Sequence, residues 1–419
     1  MKRVLMVSNC YPPMASPGAL RSAKFAKYLP EFGWEPVVLS PRGGWSSAMG
    51  MAEVDGVRVV RTAHLGAVEA AAAGAVKSRS GGAKAKVVRA LRTFVYPDRV
   101  GPWYPFALAA GVRLMRTERF DALYSTAPSQ VNHAAAMHLS RMFGVPWVAD
   151  FRDLWTLAPF YTATGTRARL DRRLEGRIMR YADAVATVSN QCAEVFRGAY
   201  PEVADRVHVI RNGYDPDDLP PAAPPPPGPF VLTYAGMFYA GHRDPSGLFA
   251  ALAALRAEGA LSPEGFRMDI IGDPDPVVLR MVDDAGVGDL VRHMGRLSYA
   301  DTLARLSASS ALCVITFTDD GAQGEMTTKL FEYIGVGRPI LALTIPGAEL
   351  GEVVSSGGLG GVFGHGDVAG IAAWLRGRMR PDAGVAPLPP PEVLYPFTRR
   401  AGAQELARQL DAAAAARSS

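Results

Sequence analysis

The chain reads as an α/β protein built from two doubly wound parallel sheets, and three observations predict this. Short apolar runs alternate with helix-spaced segments along nearly the whole length, as when each strand is followed by a helix that returns over the sheet. A Pro-rich stretch, Leu219 to Pro229, falls close to the middle. The length of 419 residues exceeds one compact core and suits two domains of roughly 100–200 residues each.

Val4 to Ser8 is a short apolar strand. Phe25, Tyr28, Leu29 and Phe32 then recur at helical spacing, and Gly33 ends that helix. Further buried strands are expected at Pro36–Leu39, Val57–Val60, Ala122–Tyr124, Trp147–Ala149, Val185–Val188 and Val207–Ile210. The second half repeats the logic at Phe230–Tyr234, Met268–Ile271, Val291–Met294, Leu312–Thr316, Ile340–Leu343 and Gly361–Phe363. Proline fixes φ and lacks an amide donor, so the segment 219–229 can be neither helix interior nor central strand. We expect a stiff linker there, between a first domain at 1–218 and a second at 230–395. In such folds ligands meet the loops after the carboxyl ends of the strands, so a site is expected in a cleft between the halves.

Composition narrows the function. Hydrophobic residues make up 48% and charged residues 20%, which excludes wholesale disorder. Lys+Arg 45 against Asp+Glu 40 leaves +5. This mild excess suits anionic small molecules or an acidic membrane face better than nucleic acid. Cys10, Cys192 and Cys313 stand far apart with no CxxC pair, which disfavours a disulfide scaffold or zinc ribbon and favours a reducing cytoplasm. The apolar run after Lys2 and Arg3 is too short for a signal peptide, and no run reaches membrane-spanning length. Residues 65–92 carry Lys77, Arg79, Lys84, Lys86, Arg89 and Arg92 with no acid after Glu69. A solvated surface loop is the preferred reading of this segment; the sharper one is contact with anionic lipid headgroups or an anionic acceptor.

Several strand-end loops carry chemistry. The loop Ser8 to Gly18 lacks the G-x-G-x-x-G of a dinucleotide fold, which disfavours a nicotinamide or flavin enzyme. Gly18 at a helix start is either a plain turn residue or a place where free amides favour an anion. Ser125 and Thr126 close a strand that runs into a polar loop, and His133 stands near the start of the following helix, where the imidazole is either structural or functional. Asp150, Arg152 and Asp153 cluster at the next strand end, costly to bury unless paired with one another or with a ligand. In the second half Gly236 permits close backbone approach, and Arg243 offers a fork for phosphate oxygens. Thr327, Thr328 and Lys329 open a helix, and Glu332, one turn on, can accept from vicinal hydroxyls such as a ribose. Together Arg243 and Lys329 would neutralise a diphosphate.

These residues, taken in series, resemble the retaining GT-B glycosyltransferases of the family-4 type. The resemblance rests on Tyr11-Pro-Pro with Gly18 and Arg21, Ser125-Thr126 with Pro128 and His133, and Asp150 to Trp155. It continues through Asn212-Gly213, Gly236 with Arg243 to Pro245, Gly295 to Leu297, Thr328 to Tyr333, and Gly337 to Pro339. It implies a nucleoside-diphosphate sugar held mainly by the second domain: Arg243 and Lys329 on the diphosphate, Glu332 on the ribose, and the backbone at Arg296-Leu297 on the base. The first domain would hold a hydroxyl acceptor near Ser125, Thr126, Asp150, Arg152 and Asp153, with Gly18 near the diphosphate and His133 near the sugar. Configuration would be retained, with no protein nucleophile and no metal or other cofactor. Many relatives carry two glutamates eight apart, the first on the donor sugar, whereas Glu325 and Glu332 are seven apart. The segment 396–419 resembles a helix crossing back onto the first domain. The Ala, Arg and Pro bias suggests a bacterial gene, with a polysaccharide, lipid-linked or natural-product acceptor. A nucleotide-sugar epimerase on the same scaffold and a non-catalytic sugar-nucleotide-binding subunit are the alternatives.

Overall fold

The computed structural model describes residues 1–14, 16–42, 52–64, 96–221, 223–319, 323–380 and 389–417. The basic segment 77–92 lies outside the described residues. The chain divides into two compact units, Met1–Ile210 with Gly402–Ser419, and Arg211–Ala401. The division falls between Ile210 and Arg211, so the Pro-rich segment 219–229 belongs to the second unit.

The first unit holds one seven-stranded sheet. Its strands are β1 (Lys2–Val7), β2 (Trp34–Pro41), β3 (Arg58–Thr62), β4 (Ala122–Thr126), β5 (Trp147–Arg152), β6 (Ala184–Thr187) and β7 (Val207–Val209). They lie in the order β3-β2-β1-β4-β5-β6-β7, and every pairing is parallel. The central strands are buried on both faces, which is why they read as unbroken apolar runs rather than alternating ones. One face packs Leu5, Leu123 and Ala149 against Val131, Leu139 and Phe196. The other packs Val4, Met6 and Tyr124 against Phe25 and against Ala403, Leu406 and Leu410 of the closing helix Arg399–Ala416.

The second unit holds six strands, β8 (Phe230–Ala235), β9 (Phe266–Ile271), β10 (Val291–Gly295), β11 (Ala311–Ile315), β12 (Ile340–Leu343) and β13 (Gly360–Phe363). Their order is β10-β9-β8-β11-β12-β13, again parallel throughout. Each sheet reverses its winding at its first strand, β1 in one and β8 in the other, so the loops after those strands stand at the switch points where such sheets bind ligands. Cys10, Cys192 and Cys313 are free thiols. No helix of the described residues is long and apolar enough to cross a membrane.

Candidate functional site

In the second unit the loop after β8 meets the start of helix Thr328–Val336. Gly236 follows the strand at φ +139°, a conformation L side chains rarely adopt. A Cβ on Gly236 would collide with Nζ and Cε of Lys329. The ammonium therefore rests directly on main chain, and Nζ donates to Tyr234 Oη at 3.3 Å. Thr327 stands at the helix N-cap without a side-chain bond to the first amides, so the positive end of the helix is left open beside Lys329.

Arg243 reaches the same place from the loop. Its guanidinium lies 5.0 Å from the ring centroids of both Tyr239 and Phe317, which themselves pack 5.5 Å apart. One Nη forms an ion pair with Glu325, whose other oxygen accepts from the Phe317 amide at 3.0 Å. The Arg243 Nε is buried with no partner among the described residues. Tyr239 and the next residue, Ala240, both adopt left-handed backbone, at φ 54° and 56°. Such strain costs on the order of 1 kcal/mol per residue and persists where the surroundings impose it; here it turns the Tyr239 ring onto the guanidinium.

The electrostatics follow from this crowding of positive charge. Burial, and then the neighbouring Arg243, push the Lys329 ammonium down to about 7. Burial pushes the Glu332 carboxyl up to about 7, against the pull of Arg399 and Lys329. Both side chains keep some surface open to solvent although protein surrounds them closely, as groups lining a recess do. An ammonium, a guanidinium and a helix N-terminus together make a site that an anion would relieve. Arg296 is exposed and pairs with Asp273 at 2.5 Å, and Leu297 packs on the inner cluster around Leu303 and Leu306. Two surface hollows contain none of these residues: one of about 280 Å³ beside Lys27 and Arg58, the other of about 310 Å³ beside Thr344 and Phe363. Among the described residues no three His, Cys, Asp or Glu gather as a metal site.

The structure corrects the expected acceptor contacts of the first unit. Asp150 is fully buried, and its carboxylate accepts from Arg21 Nε at 2.8 Å, Arg21 Nη2 at 3.1 Å, Tyr124 Oη at 2.6 Å and Thr126 Oγ1 at 3.1 Å. Three of these donors fall on Oδ2 and one on Oδ1; the carboxylate braces β4, β5 and helix Pro17–Tyr28 and, fully buried, presents no surface to a ligand. Its partner is Arg21, not the neighbouring Arg152. The Ser125 hydroxyl is likewise engaged inside, with His133 Nδ1 at 2.7 Å and Trp147 Nε1 at 2.8 Å. His133 is wholly buried, its ring 4.8 Å from that of Phe151. Burial lowers its pKa to about 4, so it is a neutral, buried imidazole near the start of helix Gln130–Phe143, its Nε2 without a partner among the described residues.

Arg152 and Asp153 do reach outward. Arg152 sits at φ 60°, its Nη1 donates to the Ala127 carbonyl at 3.3 Å, and its Nε has no partner among the described residues. A Cβ on Gly18 would stand 2.7 Å from that Nη1, so Gly18 is a position of close approach at a helix start. The sequence reading missed Tyr234, Tyr239 and Phe317, which hold the two cations. Their one signal is position, since each lies at or just beyond the carboxyl end of a central strand.

Residues 21–218 match the family model described as Glycosyltransferase Family 4. No curated protein is matched by sequence. Among solved structures the chain is similar to Anabaena HepE in complex with UDP and glucose, at 16% identity, covering 98% of this chain and 100% of that one, TM-score 0.63. It is similar to sucrose-phosphate synthase from Thermosynechococcus elongatus at 16% identity, covering 99% and 97%, TM-score 0.60. It is also similar to the lipopolysaccharide outer core galactosyltransferase WaaB in its apo form at 13% identity, covering 98% and 99%, TM-score 0.58.

Proposed function

We propose that the chain is a family-4 type GT-B glycosyltransferase, as the family match over residues 21–218 and the shared fold support, and that it moves a sugar from a nucleoside-diphosphate sugar to a hydroxyl acceptor with retention of configuration. The observation that carries the donor assignment is the convergence of Arg243 and Lys329 on Tyr234, with Lys329 seated on the Gly236 main chain beside an uncapped helix start. Anabaena HepE, which shares the fold, has crystal structures with UDP and with UDP-glucose, which supports the same donor class. In this reading Arg243, Lys329 and the amides after Thr327 hold the diphosphate. Glu332 meets the ribose, and the backbone of Arg296-Leu297 meets the base.

The chemistry is then electrostatic. The bond from the anomeric carbon to the diphosphate oxygen breaks, and a bond to the acceptor oxygen forms on the same sugar face. The acceptor proton passes to the leaving diphosphate, so neither a protein nucleophile nor a metal enters the step. Arg243 and Lys329 stabilise the charge that grows on the leaving group, where fixed donors in a dry site have their largest effect. The acceptor lies against the first unit, where Arg152 and Asp153 offer accessible polar groups. Its chemistry, whether polysaccharide, lipid-linked intermediate or natural-product aglycone, is set by surfaces that these two residues alone do not define.

Thermal-shift measurement with UDP, GDP, dTDP and their sugars tests the donor assignment. One base series should raise the melting temperature, by roughly 2.7 kcal/mol of stabilisation at a hundredfold excess over Kd. No shift with any of them removes the assignment. Release of nucleoside diphosphate only when acceptor is present separates a transferase from an epimerase, which turns over its substrate alone.

A pH dependence follows from Lys329. Its free-protein pKa is low, at about 7, and a bound diphosphate raises it, so binding takes up a proton above neutrality. Affinity for the nucleoside diphosphate is full below about pH 7 and falls as pH rises, by up to about tenfold per unit until the bound-state pKa is reached. Calorimetry in buffers of different ionisation heat should register proton uptake at pH 8. A pH-independent affinity from 6 to 9 would mean that Lys329 takes up no proton when the anion binds.

A further inference from the structure

Helix Gly165–Tyr181 of the first unit carries six arginines, at 167, 169, 172, 173, 177 and 180. Its two acids, Asp171 and Glu175, turn inward. Asp171 accepts from Tyr161 Oη and Arg167 Nε, both at 2.8 Å. Glu175 accepts from the Thr156 amide and hydroxyl and from Tyr200 Oη. The outward face is therefore cationic from end to end. Arg169, Arg172 and Arg173 are exposed, and none of them has a carboxylate partner among the described residues. Arg180 has one, Glu202 at 3.5 Å.

Large apolar side chains are exposed on this helix, in the loop before it and at the end of the neighbouring helix Gln130–Phe143. Phe160, in the loop before the helix, is 75% exposed, Leu170 46% and Tyr181 43%. Met142 is 55% exposed beside Arg141, whose guanidinium covers the Tyr181 ring at 4.5 Å. These are side chains a soluble surface ordinarily hides or scatters singly. A helix of 17 residues lying flat presents roughly 25 Å of such surface.

We propose that this helix face docks on an anionic lipid surface. The arginines meet lipid phosphates, which are complementary in charge and suited to the guanidinium fork. Phe160, Leu170 and Met142 enter the boundary of headgroup and acyl chain, and the arginine stems lie along it. Nucleic acid offers the same phosphate charge but no use for Leu170 and Met142, so the mixture of apolar and cationic groups favours lipid. The proposal does not depend on the donor assignment, because it concerns a different surface and reads out without turnover.

The test is co-sedimentation of the full chain with vesicles of phosphatidylcholine alone or mixed with phosphatidylglycerol. The protein should partition to the mixed vesicles and come off with added salt. The triple variant R169S/R172S/R173S should lose roughly fivefold per arginine, on the order of a hundredfold together. F160S/L170S should weaken partitioning while preserving its salt dependence. Circular dichroism and nucleotide thermal shift should be unchanged in both variants, which separates lost docking from lost folding. Equal partitioning to both vesicle types, or a triple variant that binds as the parent does, overturns the proposal. So does displacement from the mixed vesicles by an equal phosphate concentration of oligo-dT, which would mark the face as a nucleic-acid surface.

Discussion

Replacing Lys329 with Ala should reduce donor-dependent transfer by roughly 10²–10³-fold in kcat, the scale seen when one preorganised donor is removed from a growing negative charge. The nucleotide-induced rise in melting temperature should shrink with it. Without nucleotide, however, the variant should be as stable as the parent or more so. Burial, and then the nearby guanidinium of Arg243, push the pKa of the ammonium down. Since Lys329 ionises near 7 when folded and near 10.5 when unfolded, its contribution to stability is full only above about 10.5 and is lost as pH falls through 7. Deleting it should remove that loss at neutral pH. A single set of melting curves with and without UDP, together with initial rates, reads both effects. Unchanged rates would take Lys329 out of the reaction.

Replacing Asp150 with Ala should destabilise the first unit by about 3–5 kcal/mol, because it strands a buried guanidinium without its counter-charge. Arg21 has no exposed surface, and its remaining anchors include the Ile210 carbonyl at 2.8 Å and the Phe25 ring at 4.7 Å from its Cζ. Urea unfolding followed by tryptophan fluorescence suits the measurement, since Trp34, Trp103 and Trp147 are fully buried in this unit. The paired substitution R21M/D150L should recover much of the loss, as apolar replacements of buried ion pairs do. If D150A unfolds at the parent's urea midpoint, the buried pair is not what braces these strands.

The sheets were almost wholly legible. A strand buried on both faces has to be apolar throughout, so runs such as Val4 to Val7 and Ile340 to Leu343 declare themselves without partners. The helix opening at Thr328 was legible too, because its signals are local: threonines at the start and Gly337 at the end, at φ 72°. Pairings across the fold were not. Asp150 finds Arg21 across 129 positions of chain and Glu325 finds Arg243 across 82, and neither distance has a local signature. His133 shows the same limit. Its place beside a strand end allowed an exposed imidazole, and only packing against Phe151 and Trp147 decides that it is a core residue.

The conformation of Gly236 limits what selection can do at this site. The surface it offers Lys329 is peptide backbone, held by a 2.7 Å bond from its amide to Ile271 and closed behind by Gly272, where an added methyl would strike the Gly236 carbonyl. Substitutions other than proline alter a side chain and leave the main-chain amide in place. An inhibitor anchored on this strip of main chain would thus face a target with few routes to resistance, since most single-codon escapes would wreck the turn before they loosened the drug.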